Sequence, residues 1–135
     1  MHIILCLDYS ANTSRILVSL QNMLPLFKDP KVSVIHIVDQ ALFASGTGYE
    51  LQLGADIEDE GKELKALCSQ YLGENVNYVE EYGVPMQMID EILAQSDYDL
   101  LAIGTHSRSL LSNRLLGGEA EHLLRNIKKP VLVIP

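Results

Sequence analysis

Five short apolar runs alternate with segments of helical periodicity along the whole chain, and this alternation constrains the fold more than any other feature. The apolar runs cover residues 2–8, 32–39, 76–82, 100–104 and 131–134. Near-continuous apolar runs of this length are typical of strands that are buried on both faces. The alternation therefore predicts an α/β protein with a mostly parallel five-stranded sheet and four helices distributed over both faces.

The four predicted helices are marked by apolar residues at helical spacing. They cover residues 16–27, 50–72, 84–93 and 118–127. Ser10, Asn12, Thr13 and Ser14, which are polar residues of the N-cap type, precede the first helix, and Asp29-Pro30 is expected to stop it. The run 76–82 is more polar than the other strands, which predicts a position near a sheet edge. No repeat or linker interrupts the pattern, so one domain over residues 1–135 is expected.

Composition and apolar patterning exclude several classes of protein. Hydrophobic residues make up 47% of the chain, which is enough to build a core, yet no apolar run approaches the ~20 residues that span a bilayer. The first residues lack the features of a secretory signal. Cys6 and Cys68 lie in apolar stretches and are predicted to be reduced core thiols. These features predict a cytoplasmic protein without a membrane partner.

The charge of the chain is unevenly distributed. There are 18 acidic and 10 basic residues, which gives a net charge of −8. Residues 50–81 hold nine acidic and two basic residues, whereas residues 104–129 hold five basic and two acidic residues. The net negative charge would repel DNA or RNA, while the basic C-terminal quarter could attract a small anion. Nucleic acid is therefore not expected as a partner.

Two predicted strand ends suggest a ligand site. In an open parallel sheet, ligands bind beyond the carboxyl ends of the strands, where the winding direction reverses. Asp8 ends the first apolar run, and a 12-residue connection from Thr105 to Leu116 leads from the fourth strand to Gly117-Gly118. Glycines, a helix N-terminus, Arg108 and Arg114 all suit a phosphate group. The alternative stays open that Gly104 only ends a strand, that the glycine pair only begins a helix and that the arginines are solvated.

Three parts of the sequence resemble the universal stress protein family: Asp8 after the first strand, the strand that ends at Asp39, and the C-terminal stretch IGTHSRSLLSNRLLGGEAEHLLRNIKKPVLVIP. The resemblance covers essentially the whole chain. It implies a Rossmann-like domain, similar to adenine nucleotide alpha hydrolases, with sheet order 3-2-1-4-5. It also implies a stress-response regulator that binds ATP or a related adenine nucleotide at the ends of strands 1 and 4.

The resemblance assigns roles to individual residues. On the adenine side it implies Leu7, Asp8, Val38 and Ile103. On the phosphate side it implies Gly104, Ser107, Gly117 and Gly118. His106, Arg108 and Glu119 lie in the same stretch and complete the predicted site. The family motif Gly-x2-Gly-x9-Gly-(Ser/Thr) is matched at its first and third glycines, whereas Ser107 and Gly118 replace the second glycine and the hydroxyl residue. Glu119 would repel a triphosphate unless it points away or Mg²⁺ intervenes.

Other functional constellations find less support in the sequence. The four histidines and two cysteines lack metal-ligand spacing. His36 is expected to be an interior residue whose hydrogen bonds are satisfied. His106 is either a ligand contact or a solvated loop residue. No catalytic set of nucleophile and base is recognisable. Two alternatives therefore stay open: a dimeric interaction protein without nucleotide, and a slow Mg²⁺-dependent ATP hydrolase or phosphotransferase assisted by His106 or Asp8.

The resemblance also implies a homodimer through the C-terminal strand, residues 131–135. An unpaired edge strand is prone to aggregation, and a twofold axis can cover it by pairing two copies. The alternative is that Pro130 and Pro135 keep the strand short enough for a monomer.

Overall fold

Strands and helices alternate in the computed structural model as the sequence predicts. It describes residues 1–39, 50–104 and 124–135, with residues 50–55 described by backbone alone. The strands are β1 (His2–Cys6), β2 (Lys31–Asp39), β3 (Asn77–Gly83), β4 (Leu100–Gly104) and β5 (Val131–Ile134). The helices are α1 (Thr13–Met23), α2 (Glu50–Leu72) and α3 (Pro85–Gln95), and residues 124–126, from the predicted fourth helix, are also helical. None of these described helices is long and apolar enough to cross a membrane.

The five strands form one parallel sheet in the order β3-β2-β1-β4-β5. This confirms the predicted order 3-2-1-4-5 and the position of the more polar β3 at an edge. The chain adds β2 and β3 on one side of β1, then returns to add β4 and β5 on the other side. The winding therefore reverses between β1 and β4, and ligands of such sheets bind where it does.

Successive residues of β1 belong alternately to two separate core clusters. Ile3, Leu5 and Leu7 belong to the cluster that includes buried residues of α1 and α2. Ile4 and Cys6 belong to the other cluster, which includes buried residues of α3 and the partly buried side chains of residues 124 and 127. Each face of the sheet is thus covered by helical segments, which confirms the predicted two-sided arrangement.

The first helix is shorter than its apolar pattern predicts. The expectation was a helix that continues to Phe27, but α1 ends at Met23 and a 3₁₀ turn follows over Leu24–Leu26. Pro25 explains the difference, because proline has no backbone N–H and its ring clashes with the preceding helical turn. The Phe27 N–H instead donates to the carbonyl of Leu24 at 3.0 Å, which closes the 3₁₀ turn.

Both cysteines are free and buried, as the sequence predicts. Cys6 lies in the core cluster on the α3 face, and Cys68 lies in the cluster on the α1 and α2 face. Burial raises the pKa of each thiol to about 12, and the nearby negative charge of Asp8 adds to the effect on Cys6. Burial thus keeps both thiols protonated and unreactive in the folded protein, since the thiolate is the reactive form.

We expect neither thiol of the folded protein to react with dithionitrobenzoate at pH 8 faster than the protein unfolds, whereas both react at once in urea. Because the folded pKa lies above the unfolded value, the free energy of unfolding should fall as pH rises between 9 and about 12. Urea titrations across that pH range measure the fall. Rapid labelling of either thiol in the native protein would contradict this account of the core.

Candidate functional site

The carboxyl edge of the sheet collects the five predicted site residues that the structure describes. Asp8 and Leu7 follow the end of β1, Val38 lies one residue before the end of β2, and Ile103 and Gly104 end β4. Since β1 pairs with both β2 and β4, these positions share one edge of three adjacent strands. Leu7, Asp8, Ile103 and Gly104 therefore lie at the reversal point between β1 and β4, and Val38 lies on β2 on the other side of β1.

The remaining predicted residues lie outside the described part of the chain. They are His106, Ser107, Arg108, Gly117, Gly118 and Glu119, all within residues 105–123. Their roles on the phosphate side stay predictions.

The apolar residues at this edge belong to the core beneath it. Leu7 packs in the cluster on the α1 and α2 face, whereas Ile103 packs in the cluster on the α3 face, so the two side chains lie on opposite sides of the sheet. Val38 is buried as well. Asp8 is the first ionisable residue beyond this apolar stretch of β1, and its side chain is 11% exposed. The carboxylate of Asp8 is one group at this edge that can accept a hydrogen bond from a ligand.

The loop from Asp8 to α1 is held together by the buried hydroxyl of Thr13. This hydroxyl donates to the carbonyl oxygen of Asp8 at 2.7 Å and accepts from the backbone N–H of Ser10 at 2.8 Å. The backbone N–H of Asn12 donates to the hydroxyl of Ser10 at 3.2 Å. These bonds fix the backbone on the helix side of Asp8, because each satisfies a loop group that the sheet leaves unpaired.

His36 holds the same loop from the β2 side. Its Nδ1 lies 3.1 Å from the carbonyl oxygen of Leu7 and 3.9 Å from Oδ1 of Asp8. The first distance is a hydrogen bond and the second is not, although it is short enough for electrostatic attraction. The sequence indicated a satisfied interior histidine, and the hydrogen bond to Leu7 confirms that prediction.

Helix α2 contacts the loop through Tyr9. The Tyr9 hydroxyl donates to the carboxylate of Glu63, and this hydrogen bond, together with the charges of Glu63 and Glu60, raises the pKa of the tyrosine. Tyr9 therefore stays a neutral donor. The residue next to Asp8 is thus connected to the acidic helix on one face of the sheet.

Gly104 has a packing reason to be glycine. A Cβ built at this position would lie 2.3 Å from Cδ1 of Ile16 in α1, which is closer than non-bonded carbons approach one another. The terminal methyl of Ile16 therefore fills the space that a side chain at Gly104 would occupy, and it would have to shift to admit one. This supports the structural alternative for Gly104, and it does not conflict with a phosphate contact through the backbone.

The site contains three supporting residues to which the sequence analysis gave no site role: Thr13, Ile16 and His36. Thr13 carried a weak signal as one of several N-cap types, but its hydroxyl binds Asp8 across the loop rather than capping α1. Among the described residues, no group of three or more histidine, cysteine or acidic side chains is arranged to hold a metal ion.

Gly104→Ala should lower the free energy of unfolding by about 0.5–1.5 kcal/mol, because the end of the Ile16 side chain must shift to admit the added methyl group. Ile16→Val removes Cδ1 and by itself should cost about 0.5–1.5 kcal/mol. The double variant should be more stable than the sum of the two single effects predicts, since valine vacates the clashing position. Urea unfolding of all four proteins measures the coupling, and additive losses would show that the clash is not the cause.

The whole chain, residues 1–135, matches the Universal stress protein family. It is similar to Universal stress protein MJ0577 of Methanocaldococcus jannaschii, with 24% identity over 126 residues that cover 79% of this chain and 78% of that protein. The solved structure of MJ0577 superposes with a TM-score of 0.74 over 98% of this chain and 94% of that one.

Two further solved structures share the fold. One is a universal stress protein in complex with cAMP, with 17% identity, a TM-score of 0.67 and coverage of 99% and 95% of the two chains. The other is the universal stress protein of Archaeoglobus fulgidus in complex with dAMP, with 17% identity, a TM-score of 0.55 and coverage of 100% and 98%. With the family match over its whole length and this Rossmann-like sheet, the chain belongs to the universal stress protein family.

Proposed function

We propose that this protein is a stress-response regulator that binds ATP or a related adenine nucleotide at the carboxyl ends of β1 and β4. The observation that carries the proposal is the position of Asp8, a carboxylate held at the point where the sheet reverses its winding. Solved relatives of the same fold in complex with cAMP and dAMP support it. Two buried free thiols suit the reducing cytoplasm, where we place the protein.

The carboxylate of Asp8 suits the exocyclic amino group of adenine. That amino group donates hydrogen bonds, and an ionised carboxylate accepts them. In this proposal Asp8 therefore holds the base through a hydrogen bond from its amino group.

The phosphates would lie toward the basic part of the chain beyond β4. In this proposal the groups that hold them are the backbone and side chains of Gly104, Ser107, Arg108, Gly117 and Gly118. Backbone N–H groups at a helix start and a guanidinium group are suited to this task. His106 is a further contact in this proposal, and Mg²⁺ would offset the negative charge of Glu119.

The second candidate function is an interaction module of the same fold that binds no nucleotide. The specific observation in its favour is the contact between Gly104 and Ile16, because this contact gives the first glycine of the motif a packing role that needs no ligand. Binding of nucleotide to the purified protein decides between the two.

We expect calorimetric titration to show binding of ATP or AMP in the presence of Mg²⁺. Asp8→Asn should weaken adenine nucleotide binding about tenfold, which corresponds to about 1.4 kcal/mol, because a charged acceptor is replaced by a neutral amide. Phosphate release recorded in the same samples tests the slow-hydrolase alternative. No binding heat at millimolar nucleotide would refute the proposed function.

Asp39→Asn is the matched control, since Asp39 ends the neighbouring strand β2 and loses the same charge. We expect its affinity to change less than threefold. An equal loss in both variants would mean that general charge, and not contact with the base, explains the effect of Asp8.

We further propose a homodimer through β5. Within the described residues, β5 pairs with β4 alone, and Val133 is 46% exposed on this edge strand. Antiparallel pairing of two copies about a twofold axis would satisfy the open backbone groups and cover the apolar side chains.

Val133→Lys should convert the proposed dimer to a monomer, because two lysines would be brought together at the pairing edge. Sedimentation velocity measures the mass in solution. Leu26→Lys is the control, since Leu26 is a more exposed apolar residue, 78% accessible, located in the 3₁₀ turn far from β5 in the chain. A dimer that survives Val133→Lys, or a monomeric parent protein, would exclude this interface.

A further inference from the structure

The buried His36 needs a hydrogen-bond partner, because an imidazole in a closely packed sheet is costly to leave unsatisfied. The residue is 9% exposed and lies within β2. Its Nδ1 is 3.1 Å from the carbonyl oxygen of Leu7, and a carbonyl oxygen can only accept. Nδ1 is therefore the protonated nitrogen, and the histidine donates to the backbone of the strand beside it.

The hydrogen bond from His36 is the second of two bonds from β2 that hold Leu7 in place. The Leu7 N–H donates to the carbonyl of Ile35 at 3.0 Å, so β2 holds Leu7 by its nitrogen. His36 holds it by its oxygen. The direction in which the chain leaves β1 and enters Asp8 is thus set by two bonds from the same neighbouring strand.

The histidine reaches the backbone beneath the carboxylate rather than the carboxylate itself. Nδ1 lies 3.9 Å from Oδ1 of Asp8, beyond hydrogen-bond distance, while its proton is directed to Leu7. On the other side, Thr13 binds the carbonyl of Asp8 at 2.7 Å. Asp8 therefore stands between two buried supports, one on β2 and one on α1.

We infer that His36 is a positioning residue for ligand recognition: it fixes the strand end so that the carboxylate of Asp8 faces the base. The inference rests on the proposed function, since it assigns to Asp8 the contact with adenine. A recognition group must be held to within about half an ångström of its productive position, and supporting hydrogen bonds do this.

Three substitutions separate positioning from packing. His36→Asn keeps an amide nitrogen at the place of Nδ1 and should retain AMP affinity within threefold. His36→Leu has a similar branch but no donor, and it should bind AMP at least tenfold more weakly. His36→Gln places its amide one bond farther out and should behave like leucine, so it replaces the leucine variant if that protein does not fold. Thermal unfolding identifies the folded variants, and calorimetry measures the affinities.

A double-mutant cycle with Asp8→Asn gives the decisive result. If His36 acts through Asp8, then His36→Leu should weaken AMP binding less than threefold in a protein that already carries Asp8→Asn. Equal losses with and without Asp8, or a weak asparagine variant, would overturn the inference while leaving the proposed function intact. A parent protein that binds no AMP or ATP would overturn both.

Discussion

The burial of β1 on both faces is the constraint on which the rest of the structure depends. The side chains from Ile3 to Leu7 alternate between two core clusters, and β1 has a strand on either side. A charged side chain at any of these positions would therefore be buried. Asp8 emerges where the burial ends. Helix α1 then packs over the neighbouring strand end, where the side chain of Ile16 fills the space beside Gly104. The core and the candidate site are therefore parts of one packing arrangement.

Much of the fold could be predicted because its signals are local. Apolar runs long enough for doubly covered strands, separated by helical patterns, restrict the chain to a parallel sheet with helices on both faces, and the resemblance supplied the strand order. The end of α1 was predicted wrongly because the apolar spacing continues past Pro25, whose missing N–H breaks the helix although its neighbours fit the pattern. The effect of a single proline on the backbone thus outweighed the apolar spacing of the twelve residues 16–27.

The candidate site was predictable only in part, because only some of its residues have a local signal in the sequence. Asp8 could be identified because a charged residue directly after a buried strand has a local signature. The contacts that support it join residues far apart in sequence: His36 reaches Leu7 through the register of β1 and β2, and Ile16 meets Gly104 through the packing distance of α1. No sequence spacing encodes such distances. They follow from tertiary geometry, which also explains why Thr13 binds a carbonyl when its residue type suggested a helix cap.

The strand order has a consequence for how the chain assembles during synthesis. The segment up to β3 contains every partner for one edge of β1, together with both helices that cover one face of the sheet. The other edge of β1 stays open until residues 100–104 leave the ribosome, and one apolar face stays bare until α3 and the last helical segment arrive. A nascent chain of this order exposes one edge and one apolar face of its central strand for longest, which is the situation in which mispairing between neighbouring chains competes with folding.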